Sequence, residues 1–228
     1  MKGTIIVIEG TDGSGKKTQT NLLADNLKKA GVNVLIHSFP SYESLSSGPV
    51  KLYLGGDLGE TANSVSAKQA SVLFATDRIA TFLDTKNNLK THYENGGVII
   101  FDRYVYSNMI HQACKIKDTE KIDEFISWLC KLEFEDLSLP QANLIFFLDM
   151  PVAFSKKLAN QRQELKAGTK TDIHETDANH LTDAYSTAKY VATKYGWTQI
   201  SCVEKDQIKT PQQIATEIYN ITKNFINN

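Results

Sequence analysis

The sequence predicts a three-layer α/β/α fold around a central five-stranded parallel sheet. Two observations carry this. Short β-branched and aromatic runs alternate with longer stretches of helical periodicity. Four of the five strand runs are continuously apolar, as strands covered on both faces must be.

The first run, Thr4 to Ile8, ends directly in Glu9-Gly10. Leu22, Leu23 and Leu27 then recur at helical spacing as far as Gly31, a helix stop. Val32 to Ile36, Val98 to Phe101, Leu144 to Leu148 and the weaker Gln199 to Val203 complete the strands. The helical stretches expected between and after them are 64–93, 120–132, 152–165, 178–195 and 211–225. No repeat or linker divides the chain, so a single domain over 1–228 is expected. The polar segment 161–177 is read either as a mobile lid or as a solvated connection.

Net charge is -1, with 25 Lys and Arg against 26 Asp and Glu, so no broad cationic field favours nucleic acid or an anionic membrane. Recognition of phosphate must therefore be local. Cys114, Cys130 and Cys202 have no metal-ligand spacing, and their odd number argues against a disulfide framework. The apolar run near the start is too short for a signal peptide core, and no run reaches the ~20 residues that span a bilayer. A cytoplasmic location is expected.

Chemistry concentrates at the ends of strands. Gly10-Thr11-Asp12-Gly13-Ser14-Gly15-Lys16 fits G-x-x-x-x-G-K and stands between a buried strand and a helix. Small residues let the backbone curl so that successive N–H groups face phosphate oxygens, and the helix that follows adds its positive end. Nucleoside triphosphate binding, with ATP and Mg²⁺, is the expectation. Lys17 occupies the position where a Ser or Thr would bind Mg²⁺, and Thr18 comes one residue late, about 100° round the helix. Lys17 is then either a solvated lysine or a second cation beside the phosphates. Asp102-Arg103 follows the third strand at its carboxyl end, where open α/β sheets gather ligands. Asp102 is placed to hold metal-bound water, and Arg103 offers a planar fork for phosphate.

Four motifs in order, EGTDGSGKKTQ from Glu9, FP at Phe39-Pro40, LFATDR at Leu73 to Arg78 and DRYVYS at Asp102 to Ser107, resemble the thymidylate kinases, which are P-loop nucleoside monophosphate kinases. The likeness extends through LDMP at Leu148 to Pro151 to DIHE at Asp172 to Glu175. It implies transfer of the ATP γ-phosphate to dTMP. It also implies that Phe74 stacks on the base, that Arg78 bonds the base edge, and that Arg103 binds the acceptor phosphate. The alternative for Phe74 is ordinary core, the use of most helical phenylalanines. By the same likeness Asp12 contacts the sugar hydroxyl, with Glu9 behind it, and Ser107, Asn108, His111 and Gln112 line the base and sugar pocket.

This chain departs from the family pattern in two places: His111 replaces a more usual aromatic, and Tyr42 stands where an Arg often follows Phe39-Pro40. The loop carries Gly13 where some members have Arg, so the catalytic cation is expected from the lid, with Arg162, Lys166 and Lys170 as candidates. A homodimer is implied by the family alone. Two rivals are a deoxynucleoside kinase, with Glu9 as general base, and a nucleotide-binding protein without turnover, suggested by Lys17.

Overall fold

The structure is a computed structural model that describes residues 2–59, 61–164 and 178–227. Five parallel strands form its sheet in the order β2-β3-β1-β4-β5: β1 is Thr4–Glu9, β2 Val34–Ser38, β3 Val98–Asp102, β4 Leu144–Asp149 and β5 Thr198–Ser201. The interior strands are sealed on both faces, with Ile5, Ile6, Val7 and Ile8 at 0% exposure. That explains their unbroken apolar sequence.

Alternation sends their side chains into two cores. Ile5, Val7, Ile99, Phe101 and Phe147 face one side, where they meet α5 (Val105–His111), α6 (Thr119–Cys130) and α8 (Ala178–Lys194). Ile6, Ile8, Ile100, Phe146 and Leu148 face the other, against α1 (Lys16–Lys29) and α9 (Pro211–Asn227). A smaller cluster, built on Val50, Tyr53, Leu54 and Ala70, joins α2 (Gly48–Leu54) to α3 (Ala67–Leu83). Among the described residues the remaining α-helices are α4, Leu89–Glu94, and α7, Val152–Glu164.

Strand order reverses around β1: the chain builds β2 and β3 on one side and then crosses to β4 on the other. Such a switch point leaves a crevice at the carboxyl ends of the strands. Register does the rest, because Ile8 lies opposite Asp102 and Glu9 opposite Phe147. The glycine loop after β1 and the Asp102-Arg103 turn after β3 therefore emerge side by side.

The expected helix over 64–93 is two helices. Ser66 caps α3, accepting from Gln69 N–H at 3.3 Å, and Gln69 Oε1 accepts from Ser66 N–H at 3.1 Å. That helix stops at Asp84, and Asn88 at φ 58 turns the chain before α4 begins. Asp84 Oδ1 accepts from Lys86 N–H at 2.9 Å, and Asn87 Oδ1 from Leu89 N–H at 3.0 Å, so short polar side chains take the bonds that a continuing helix would need. The second strand begins at Val34 and not Val32, because Val32 N–H still bonds back to Leu27 O at 3.0 Å as part of the Gly31 turn. The expected strand 199–203 breaks at Cys202, beyond which Val203–Glu204 and Gln207–Ile208 form a separate hairpin, β6 and β7. The short helices α2 and α5 were not predicted. After α6 the chain passes into a π-helical turn, Lys131–Asp136.

One polar side chain starts the β1–β4 pairing. Asn143 Oδ1 accepts from Ile5 N–H at 2.8 Å while Asn143 N–H donates to Ile5 O at 2.8 Å. Asn143→Ala should leave the Ile5 N–H unpaired inside the sheet, a cost of about 1–3 kcal/mol, and lower Tm by roughly 2–12 °C. Asn143→Asp keeps the acceptor and should melt near the native temperature. Thermal denaturation of the two variants checks this.

Candidate active site

The loop joining β1 to α1 curls at glycines whose left-handed conformations other residues rarely adopt. Gly13 has φ 80, and a Cβ there would stand 2.4 Å from Ser155 O of α7. Gly15 has φ 93 and forms the N-cap of α1, with open space where its side chain would be. Thr11 Oγ1 and Ser14 Oγ are buried in the loop without a partner among the described residues. Lys16 begins α1 and folds back over the loop, donating to Gly10 O at 3.0 Å and Thr11 O at 2.8 Å.

Burial, and then the Arg103 charge, lower the Lys16 ammonium to about 8, against the pull of Asp12, Asp102 and Glu9. A cation held below its ordinary range in a polar cradle stabilises an incoming anion more than a solvated lysine could. Lys17 and Thr18 are exposed on α1. Neither supplies a hydroxyl inside the loop.

Across from the loop, Arg103 holds φ 68, an uncommon left-handed conformation for a side-chain-bearing residue. It lies between two ties to β1: Arg103 N–H donates to Ile8 O at 3.3 Å, and Tyr104 N–H donates to Glu9 Oε1 at 3.0 Å. The guanidinium forms an ion pair with Asp12 through Nη2, while Nη1 donates to His111 Nε2 at 3.0 Å. An arginine can only donate, so His111 Nε2 is the acceptor in this contact. Glu9 is fully buried, and burial raises its carboxyl, with Arg103, the Ser107 hydroxyl and Tyr104 N–H working the other way. Ser107 donates its hydroxyl to Glu9 Oε2 at 2.7 Å, so that hydroxyl braces the site from beneath.

Beside the loop opens a pocket lined by Asp12, Phe39, Pro40, Tyr42, Leu54, Phe74, Arg78, Arg103, Tyr104, Ser107, Asn108, His111 and Gln112. One end is charged, with Asp12 and Arg103. The other is flat and apolar, with Phe74 half-buried and edge-on to Tyr53 at 6.0 Å. Asn108 Nδ2 and both amide atoms of Gln112 are buried with no partner among the described residues. Buried amides of that kind call for a polar ligand. Phe39 packs against Phe101 at 5.4 Å and Tyr104 at 6.0 Å, which fixes the wall that continues through Pro40 to Tyr42. The Phe39–Pro40 peptide is cis.

Most residues singled out from sequence meet here. Asp102 stands at the end of β3, close enough to Lys16 to act on its charge. Arg162 lies in the last turns of α7, and Lys166, Lys170 and most of the expected lid lie outside the described residues. Sequence reasoning missed Leu54, the pocket role of Tyr104, and Asp77. Asp77 accepts from Ser41 N–H at 2.8 Å and from the Ser46 hydroxyl at 2.6 Å, holding the loop after β2 against α3. Its position beside Arg78 was the available signal. Glu133, 55 positions from the Arg78 it binds, offered none.

A family model described as Thymidylate kinase matches residues 8–206. The thymidylate kinase of Mycobacterium tuberculosis (strain H37Rv) is 31% identical over 76% of this chain and 78% of its own length. A probable thymidylate kinase of Thermococcus onnurineus is 33% identical over 69% of this chain and 71% of its own. That of Plasmodium falciparum is 28% identical over 77% and 76%. The match runs from the strand beneath the phosphate loop to the hairpin after β5, and the chain belongs to the thymidylate kinase family.

Proposed function

We propose that this chain transfers the γ-phosphate of ATP to dTMP, releasing ADP and dTDP. The observation that carries this is the junction of the two half-sites. Asp12 belongs to the phosphate loop and also lines the pocket, beside Arg103. A nucleotide whose base lies along Phe74 has its phosphate at Arg103, next to the loop that would hold the donor.

Acceptor phosphate oxygens are already ionised at neutral pH, so the transfer needs no general base. Alignment and charge compensation do the work. Lys16 would leave the loop carbonyls for the donor phosphates, and the loop N–H groups would bind the same oxygens. Arg103 would bind the acceptor phosphate while Asp12 fixes its Nη2. Asn108 and Gln112 would direct their unpaired amides at the base or sugar. The lid cation is proposed from Arg162, Lys166 and Lys170.

Magnesium is the ion proposed for the donor phosphates, where it supplies charge neutralisation. Among the described residues no three His, Cys, Asp or Glu side chains gather as a metal site. The residues present fit an ion carried mainly by the nucleotide, with Asp102 meeting its water shell. Free thiols at Cys114, Cys130 and Cys202 support a reducing, cytoplasmic setting, and no described helix is long and apolar enough to cross a membrane. The proposed assembly is a homodimer, on family likeness.

The deoxynucleoside kinase reading is not favoured, because Glu9 spends its oxygens on Tyr104 N–H and Ser107 beneath the pocket. A coupled ADP-release screen should show turnover with dTMP and Mg·ATP, and none with thymidine. Turnover only with thymidine, or none with any acceptor, would reject the proposal. Lys16→Ala should reduce kcat by about 100-fold or more while the melting curve stays native.

Lys16 also sets a pH dependence for the empty site. Its ammonium loses its proton above about 8, whereas bound phosphates favour the charged form. ADP affinity should therefore fall as pH rises, by up to about tenfold for each pH unit above the Lys16 value. Titration calorimetry in buffers of different ionisation enthalpy should show proton uptake on the alkaline side, and Lys16→Ala should abolish it.

A further inference from the structure

Arg78 reaches the pocket with half of its guanidinium already committed. Its Nε donates to Glu133 Oε2 at 2.9 Å, and its Nη2 donates to Glu133 Oε1. Both side chains are sealed, Arg78 at 2% and Glu133 at 0% exposure. A bidentate pair uses one edge of a planar, rigid fork and thereby dictates where the opposite edge points. Since Arg78 lines the pocket, the edge carrying Nη1 is the one left for a ligand.

Glu133 is held with equal firmness. It sits in the π-helical turn Lys131–Asp136, and its backbone O accepts from Leu139 N–H at 2.9 Å. Such turns are rare and recur at functional sites. A buried carboxylate in place of water also cancels the guanidinium charge. A compensated arginine has little pull on a phosphate but remains a directed N–H donor. Both pocket arginines have a carboxylate partner, but they are placed differently: Arg103, paired with Asp12, stands beside Lys16 and the phosphate loop, while Arg78 lines the pocket one turn of α3 from Phe74.

We propose that Glu133 is a positioning residue for base choice. It aims the free edge of Arg78 at a ring carbonyl of the acceptor base and neutralises the cation, so that a base bearing a carbonyl there is accepted and one bearing an amino group is refused. An amino group would set donor against donor at a buried guanidinium, and that mismatch costs far more than a lost methyl contact. The inference rests on the pocket being the acceptor nucleotide site.

Steady-state kinetics with dTMP, dUMP and dCMP as acceptors test it on the native chain, Glu133→Gln, Glu133→Asp and Arg78→Ala, each checked for native melting. Glu133→Gln should raise KM for dTMP by about tenfold or more, leave KM for ATP within about twofold, and cut the dTMP-over-dCMP ratio of kcat/KM by at least about tenfold. Glu133→Asp keeps the charge at a shorter reach and should lie between Glu133→Gln and the native chain. If the Gln variant does not fold, the Asp variant decides, by a base preference between those of the native chain and Arg78→Ala. Folded Glu133 variants with native base preference, beside an Arg78→Ala that has lost it, would overturn the role of Glu133 alone. A native chain that turns over none of the acceptors, or an Arg78→Ala that keeps its preference, would overturn the acceptor-site reading together with it.

Discussion

Glu9 ends the central strand with a carboxylate that has no access to water, and both its oxygens accept from the segment after β3: one from Tyr104 N–H, one from the Ser107 hydroxyl. An acid so placed costs free energy unless it is fully hydrogen-bonded. That requirement welds the start of α5 to the root of the phosphate loop. Arg103, caught between Ile8 O and the Glu9 tie, takes its left-handed turn and meets Asp12. Ser107 and Asn108, with His111 one turn further along α5 and Gln112 just past its end, then line the pocket because the first turn of that helix is anchored.

The pocket is divided by charge. Its polar end is lined by Asp12 and Arg103, with Lys16 beside Asp12 in the adjoining phosphate loop. Its apolar end has Phe74 and an arginine neutralised by Glu133. Placing Lys16 and Arg103 toward one end and the Glu133-paired Arg78 toward the other orients a molecule that is anionic at one end and neutral at the other. Aromatic stacking holds such a base without reading it, so discrimination falls to donors whose directions are fixed.

Much of this was legible beforehand for specific reasons. The phosphate loop is a local motif whose glycine conformations, Gly13 and Gly15 at positive φ, follow from a short stretch of chain. Strands buried on both faces announce themselves as unbroken apolar runs, and β1, β3 and β4 begin at the expected residues. Where expectation failed, at Asp84 to Asn88 and at Cys202, short polar side chains or a local turn competed with a periodic pattern that continued through them. The helix α5 was too short for periodicity to show, although its residues had been singled out.

By itself, then, the sequence determined the alternating α/β order, the phosphate loop with Lys16, and the family to which its motifs point, because each of these is written in neighbouring residues. Only the tertiary structure decided which groups share a charge. Arg78 with Glu133, Arg103 with Asp12 and His111, and Glu9 with Ser107 are partners brought together by strand register and helix packing across 55, 91, 8 and 98 positions respectively. Hydrogen-bonded partnership depends on distance in space, and a linear pattern has no term for that.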